Sequence, residues 1–262
     1  MKENVVKKKN IFGIEKKISQ GVARLVITFN VILGLLAAVS NYYVCSTSVQ
    51  SVLDEAAHIA ANLVSASLED YVAVAYETGS IARLADPTRA VEDKKAIIEQ
   101  RVSDHNLTRG MVLNAEGIDI FTGEDYSDSE NFIHAMAGNT YISTPEYDTD
   151  LRQTNFMVSA PLWEGGIPHT TPIGAIVYVP NGEALNEIMR SIQVGDNGNA
   201  FMVDSEGITI ADFEATLVGQ ENLIEEGKQD SSLKAIGKIV EKMALGEDGV
   251  GICSYDGVRA VR

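Results

Sequence analysis

Residues 111–122 read MVLNAEGIDIFT, and 90 residues further on, 201–212 read FMVDSEGITIAD. Glu206-Gly207-Ile208 aligns on Glu116-Gly117-Ile118, and Ile210 on Ile120. Each copy alternates apolar residues on either side of a tight glycine turn, which predicts a strand, a turn and a returning strand. The elements that follow keep the same order. Ser129 to Ala137 predicts a short helix, and Gly138-Asn139 turns into a strand over Thr140 to Ser143. In the second copy an acidic loop leads to a helix over Ser231 to Leu245, then Gly246 to Gly249 leads into a strand over Val250 to Ser254. A duplicated α+β unit is the architectural signal.

Between the copies, Pro145 to Asp150 predicts an acidic loop, while Asn155 to Leu162 and Gly174 to Val179 are the most strand-like runs in the chain. Glu183 to Ile192 predicts a helix with Leu185, Ile188, Met189 and Ile192 on one face. Upstream of the first copy, Thr88 to Asn106 is a further helix. Before it, apolar residues from Val49 to Leu84 recur at intervals of three and four, and Asp86-Pro87 ends the pattern.

Leu25 to Val44 carries no charged side chain in 20 residues. At about 1.5 Å per residue it is ~30 Å long, one bilayer core. Tyr42 and Tyr43 stand at its far end, where aromatics favour the membrane boundary. The 24 residues before it hold 7 basic and 2 acidic residues, an excess that predicts a cytoplasmic N-terminus. A cleaved secretory signal ending near Ala38-Val39-Ser40 is the competing reading, opposed by the long basic leader and the long apolar run. Taken with the periodic stretch after it, the span predicts one nearly continuous helix from Leu25 to Ala85.

From Leu25 onward the chain has a net charge of −21, against −16 for the whole, which disfavours nucleic acid as a partner. With 45% hydrophobic and 22% charged residues the chain has the composition of a folded protein. Cys45 and Cys253 are two cysteines far apart in sequence, not a disulfide framework. The four histidines have no metal-ligand spacing, and no cofactor motif is present. Nucleophile, phosphate-loop and metalloprotease patterns are also missing, so the expected class is not an enzyme.

The order of these elements resembles the double Cache (dCache) sensor region of bacterial methyl-accepting chemotaxis proteins. The resemblance runs from about Gly13 to the end of the chain. It is carried by the strand–Glu-Gly–strand hairpins, the run Gly138 to Ser143 followed by Pro145, the strand ending Ser159-Ala160-Pro161, and the strand opening Gly174-Ala175-Ile176-Val177. It implies an α+β fold: a transmembrane helix (25–44) after a basic tail (1–24), a long stalk helix (45–85), then two tandem PAS-like modules with antiparallel sheets. These are a membrane-distal one (86–192) and a membrane-proximal one (193–262), the second expected to be cut short at Arg262. It further implies a cell-membrane chemoreceptor that binds a small extracellular molecule, forms a homodimer, and reaches a cytoplasmic chemotaxis kinase and adaptor through a region beyond Arg262. The same sensor region also serves histidine kinases and cyclic-dinucleotide enzymes, and an anchored or secreted binding domain is a further alternative.

Amino-acid-binding members of that family carry an Arg-x-Trp-Tyr cluster and an acidic residue ending the last strand of the distal module. In this sequence the arginine position falls at Glu130, the aromatic pair at Phe132 and Ile133, and the acid at Pro180. An α-amino acid needs a fixed cation for its carboxylate, so the departure argues against that ligand class. The expected pocket lies between the sheet and the loops of Glu124 to Asp150. Its candidate ligand-binding residues are Tyr126, Phe132, Tyr141, Ser143, Tyr147, Asp148, Asn155, Met157 and Tyr178: aromatics for contact area, hydroxyl, amide and carboxylate groups for orientation. For the aromatics a place in the core is an equal alternative, and for Tyr147 and Asp148 a solvated loop. The acidic residues around the pocket suit a cation or Ca²⁺, but without a calcium-loop pattern solubility is the commoner explanation.

Overall fold

The computed structural model describes residues 2–148, 152–194, 198–255 and 258–261, with side-chain detail outside 2–15, 193–194, 252, 254–255 and 258–261. Asp150, the end of the predicted acidic loop, lies outside the described residues. Helix α1 runs Lys2–Gly79. The chain divides into two units, residues 1–52 and 53–262.

The first unit is helix throughout its described residues. Its 18-residue apolar window has a mean hydropathy of 2.2 and is wholly unburied, so by length and composition it can cross a membrane. Thr28 and Asn30 each donate to the carbonyl four residues back, at 2.8 Å, which satisfies these polar groups inside the apolar run.

The second unit is α+β. After α1 come α2 (Ala82–Ala85), α3 (Val91–Asp104), β1 (Leu107–Leu113), α4 (Glu130–Met136), β2 (Tyr141–Ile142), β3 (Glu146–Asp148), β4 (Gln153–Asn155), β5 (Val158–Trp163), β6 (Pro172–Pro180) and α5 (Ala184–Ser191). Then follow β7 (Gln193–Val194), β8 (Gly198–Asn199), β9 (Phe201–Val203), β10 (Thr209–Asp212), α6 (Leu223–Gln229), α7 (Lys234–Ala244), β11 (Ile252–Tyr255) and β12 (Val258–Val261). The largest sheet is antiparallel in the order β1-β6-β5-β2, with Met111 opposite Val177, Ala160 opposite Ile176 and Tyr141 opposite Ser159.

Because side chains alternate across a strand, this sheet has two apolar faces. Val112, Val158, Ala160, Leu162, Ile176 and Tyr178 pack with Val74, Ala75, Leu84 and Ile98 from the helices before β1. Met111, Leu113, Ala175 and Val177 pack instead with Phe132 and Ala135 of α4. A third cluster, Leu223, Ile236, Val240 and Cys253, joins α6 and α7 to β11.

The two hairpin turns are alike down to their hydrogen bonds. The Asn114 side chain accepts from the Glu116 and Ile118 amides at 3.1 and 2.9 Å; the Asp204 side chain accepts from those of Glu206 and Ile208, both at 2.9 Å. Gly117 and Gly207 hold φ of +83° and +82°, a conformation that favours glycine. The returning arms differ. Thr209–Asp212 pairs with Phe201–Val203 as expected. In the first copy Asp119 curls the chain: its side chain accepts from the Phe121 amide, and its backbone pairs with Gly123 and Glu124. β1 takes β6 as its partner, and the return leaves only isolated bridges.

Other departures also have local causes. The predicted helix to Ala85 stops at Gly79, whose α-carbon lies against the Pro161 carbonyl. Ile81 is then extended before α2 begins. The predicted acidic loop is in part the β3–β4 hairpin. Helix α6 is not predicted; its cap is legible, since the Asn222 side chain accepts from the Ile224 and Glu225 amides, both at 3.1 Å.

Candidate functional site

The sheet face under α4 is the candidate site. Ser129 caps α4 by accepting from the Phe132 amide at 3.3 Å. That start sets Asn131, Phe132 and Ala135 inward. Asn131, only 2% exposed, donates through Nδ2 to the Met157 carbonyl at 3.3 Å and to Ser159 Oγ at 3.2 Å, and Ser159 donates back to the Asn131 carbonyl at 2.9 Å. A buried polar pair of this kind locks the helix to β5. Neither residue is among the nine predicted from sequence. An amide on the inward side of a helix and a hydroxyl mid-strand are the signals that point to them.

Of the nine, Phe132 is in the core of this face, with Tyr126 and Met157 packed around it. Ser143 is joined to Met157 twice: its amide donates to the Met157 carbonyl and its Oγ accepts from the Met157 amide, both at 2.8 Å. Tyr141 donates to Glu130 and stacks on His134 with ring centroids 4.3 Å apart. That bond to a carboxylate raises the Tyr141 phenol above its ordinary pKa. Tyr178 is on the opposite face, fully buried, its hydroxyl donating to Thr78 Oγ1 at 3.1 Å.

The three remaining residues sit on the β3–β4 ribbon, which has two faces of its own. Tyr147 pairs with Thr154 across the ladder. Thr154, 2% exposed, donates to the Ile210 carbonyl of β10 at 2.5 Å, and the Tyr147 ring covers Gly219. On the other face Asn155 Nδ2 donates to Asp148 Oδ2 at 3.2 Å, and Gln153 Nε2 donates to Asn155 Oδ1 at 2.9 Å. One face of the ribbon therefore grips the second repeat, while the other carries the polar residues predicted for a ligand. Gly219 has φ of +69° beneath the Tyr147 ring, so Gly219→Val combines left-handed strain with displacement of that ring. It is expected to lower stability by about 2 kcal/mol, read as a shift in the denaturant midpoint.

At one end of this face Arg109 Nη2 donates to Glu124 Oε2 at 2.7 Å and to Asp119 Oδ2 at 3.4 Å. Tyr126 also donates to Glu124, at 3.0 Å. The guanidinium first, then the phenol, holds the Glu124 carboxyl below its ordinary range. Hydrogen bonds from Thr88, Ser127 and Ser232 do the same for Asp86, Asp125 and Asp230. A carboxyl whose folded pKa is depressed contributes stability above its unfolded value of about 4, and that contribution is lost as pH falls through the folded value. These four groups predict a melting temperature that declines below about pH 4. A flat melting temperature from pH 5 to pH 3 contradicts it.

Two cavities are formed elsewhere in this unit. One of about 430 Å³ lies between α1 and α5, lined by Asp70, Tyr71 and Glu187 among others. The other, about 530 Å³, lies between α3 and β1. Neither is lined by any of the nine predicted residues.

Comparison with known proteins gives a family and a fold. Residues 46–254 match the profile described as Cache domain, of the dCache type. Sequence comparison with curated proteins yields no match. Among solved structures, the ligand-binding domain of the Pseudomonas aeruginosa PAO1 amino acid chemoreceptor PctC, in complex with GABA, superposes with a TM-score of 0.56 at 18% identity, covering 80% of this chain and 88% of that one. The ligand-binding domain of the Campylobacter jejuni chemoreceptor Tlp3, in complex with 4-methylisoleucine, gives a TM-score of 0.55 at 11% identity, with 79% and 82% covered. The extracellular domain of a candidate histidine kinase, mmHK1S-Z2, gives 0.52 at 16% identity, with 79% and 88% covered.

Proposed function

The chain belongs to the Cache domain family, and from that premise we propose that it is the sensor region of a transmembrane chemoreceptor. In this reading a small extracellular solute binds between the α4-covered face of the sheet and the polar face of the β3–β4 ribbon, and the signal crosses the membrane along α1 to control chemotaxis. The observation that carries it is that the helix holding the apolar stretch is, in its last turns, part of the sheet's own core: Val74 and Ala75 are buried there, and Thr78 bonds Tyr178. Close-packed elements shift between discrete arrangements, so repacking the sheet biases the position of α1. The N-terminus is cytoplasmic and two chains pair along α1, presenting output to a kinase and adaptor. Similarity to the extracellular domain of a candidate histidine kinase supports, as a second reading, the same sensor with a kinase output.

The amino acid chemoreceptor PctC is similar in fold, but by the family resemblance the carboxylate-binding arginine position falls at Glu130, itself bonded to Tyr141. The ligand is accordingly not an ordinary α-amino acid. The test is a calorimetric and thermal-shift screen of the full chain in nanodiscs against organic acids, amines, purines and amino acids. For the solute found, Asn155→Leu is expected to weaken binding about tenfold, or ~1.4 kcal/mol. Stabilisation by α-amino acids alone overturns the ligand class, and unchanged affinity in Asn155→Leu overturns the site.

A further inference from the structure

The cavity between α3 and β1 is separate from the α4-covered face, and its chemistry is specific enough to name a ligand class. β1 is the edge of its sheet. Beyond Val112 its outer side is covered by Ile120, whose amide donates to the Val112 carbonyl at 3.0 Å. Leu107 to Gly110 instead line the cavity, together with α3 and the Asp119–Thr122 curl. Its volume of about 530 Å³ falls within the usual range for small-molecule sites, roughly 300–1,000 Å³. Val102, Leu107 and Phe121 supply apolar wall; Arg109, Asn106 and Ser103 supply polar groups.

Arg109 decides the class by elimination. Its Nη2 already serves two carboxylates, Asp119 and Glu124, so a third anion meets a guanidinium whose charge is matched. Asp119 is 1% exposed and accepts from Thr122 Oγ1 and the Phe121 amide as well, so it is closed to a ligand. A cation meets Arg109 and Lys95, the latter paired at 3.8 Å with Glu99. The four charges lining the cavity sum to zero. What is left open is hydrogen-bonding capacity. Both carboxylate bonds of Arg109 run through Nη2, and among the described residues the Asn106 amide and the Ser103 hydroxyl have no hydrogen-bonding partner. Hydroxyl groups both donate and accept, and so complement a neutral, mixed set of this kind. The apolar wall suits a C–H face.

We propose that the cavity between α3 and the open edge of β1 is a second solute site, which takes a neutral polyhydroxyl molecule of monosaccharide or cyclitol size. The polyol lies with its C–H face toward Phe121 and Val102 and its hydroxyls on Arg109, Asn106 and Ser103. Through Arg109 it is one bond from Glu124 and two from Tyr126, at the end of the α4-covered face.

The experiment is calorimetry of the full chain in nanodiscs with glucose, galactose and myo-inositol, alongside propionate and putrescine as charged probes. Solutes are kept at or below about 10 mM, where stabilisation by surface exclusion is small. Saturable heat is expected for at least one neutral polyol and for neither charged probe. Val102→Trp, which fills the cavity, and Ser103→Trp, at an exposed helix position, are each expected to weaken it more than tenfold. Asn155→Leu, on the β3–β4 ribbon and outside the cavity lining, is expected to leave it unchanged. Failure of every polyol, or binding of a charged probe in their place, overturns the proposal. So does a polyol signal that survives both tryptophan variants, and so does one lost in Asn155→Leu, which assigns the polyol to the site tested by that variant above. A null result there leaves the sensor reading intact, because that reading is tested by the separate screen.

Discussion

Tyr178→Ala is expected to cost about 4 kcal/mol of folding stability, the range for emptying a large aromatic from a packed core. For a chain of this size that lowers the melting temperature by roughly 10 °C. The ring is fully buried among Val74, Leu84, Ile98, Ile176 and their neighbours, so no solvent or side-chain movement refills the space. Tyr178→Phe keeps the ring and removes only the hydroxyl bond to Thr78. Thr78 retains its own donation to the Val74 carbonyl at 2.7 Å, so this variant should cost about 1 kcal/mol. Burial also pushes the phenol up to about 12. A phenol harder to ionise in the folded chain contributes stability below its unfolded pKa of about 10, lost as pH rises toward 12. The wild type should therefore unfold more readily than Tyr178→Phe predicts above pH 10. Denaturant melts of the full chain in micelles check all three statements. If Tyr178→Phe left stability and its pH profile untouched but abolished solute binding, the phenol would belong to a ligand site instead of the core.

Gly79→Ala is the second large effect, expected at about 3 kcal/mol. A β-carbon at this position runs into the backbone carbonyl of Pro161, in the middle of a fully buried strand. Backbone cannot move aside by changing a rotamer, so either α1 or β5 shifts and the contacts of Ala75, Ala160 and Ile176 shift with it. Gly249→Ala is the control, because nothing stands within 4 Å of its added carbon. The measurement is the denaturant midpoint of both variants. If Gly79→Ala matches the control, the close seat of α1 on the sheet is not a fixed feature. If the loss is found, Gly79 and Tyr178 together mark the fastening between the apolar helix and the sensor sheet, and the proposed transmission depends on it. Variants that loosen this fastening without unfolding the sheet should bind solute while failing to signal.

The sequence by itself determined the apolar span, the α+β class, the repeat and the turn chemistry. All of these are local. A charge-free run long enough to cross a bilayer, alternation at a period of two, and a side chain such as Asn114 or Asp204 two residues before a Glu-Gly pair need no distant partner to act. Asp119 shows where local reading ends. The alternation of its segment is that of a strand, but its carboxylate organises a curl and holds Arg109 from the neighbouring strand, so the return leaves only isolated bridges on the outer edge of β1.

Only the tertiary structure decided which face each strand residue takes. Tyr178 and Met157 look alike in sequence as pocket candidates, yet the ladder that pairs Tyr178 with Val158 turns Tyr178 toward α1, while Met157, one residue before β5, packs with the α4 cluster. It likewise split the β3–β4 ribbon, turning Tyr147 to the second repeat and Asn155 to its polar partners. It also brought Asn131 to Ser159, 28 residues away. The physical reason is that a one-residue change of register exchanges the two faces of a strand. That register is set by the packing of the whole sheet, which no single segment contains.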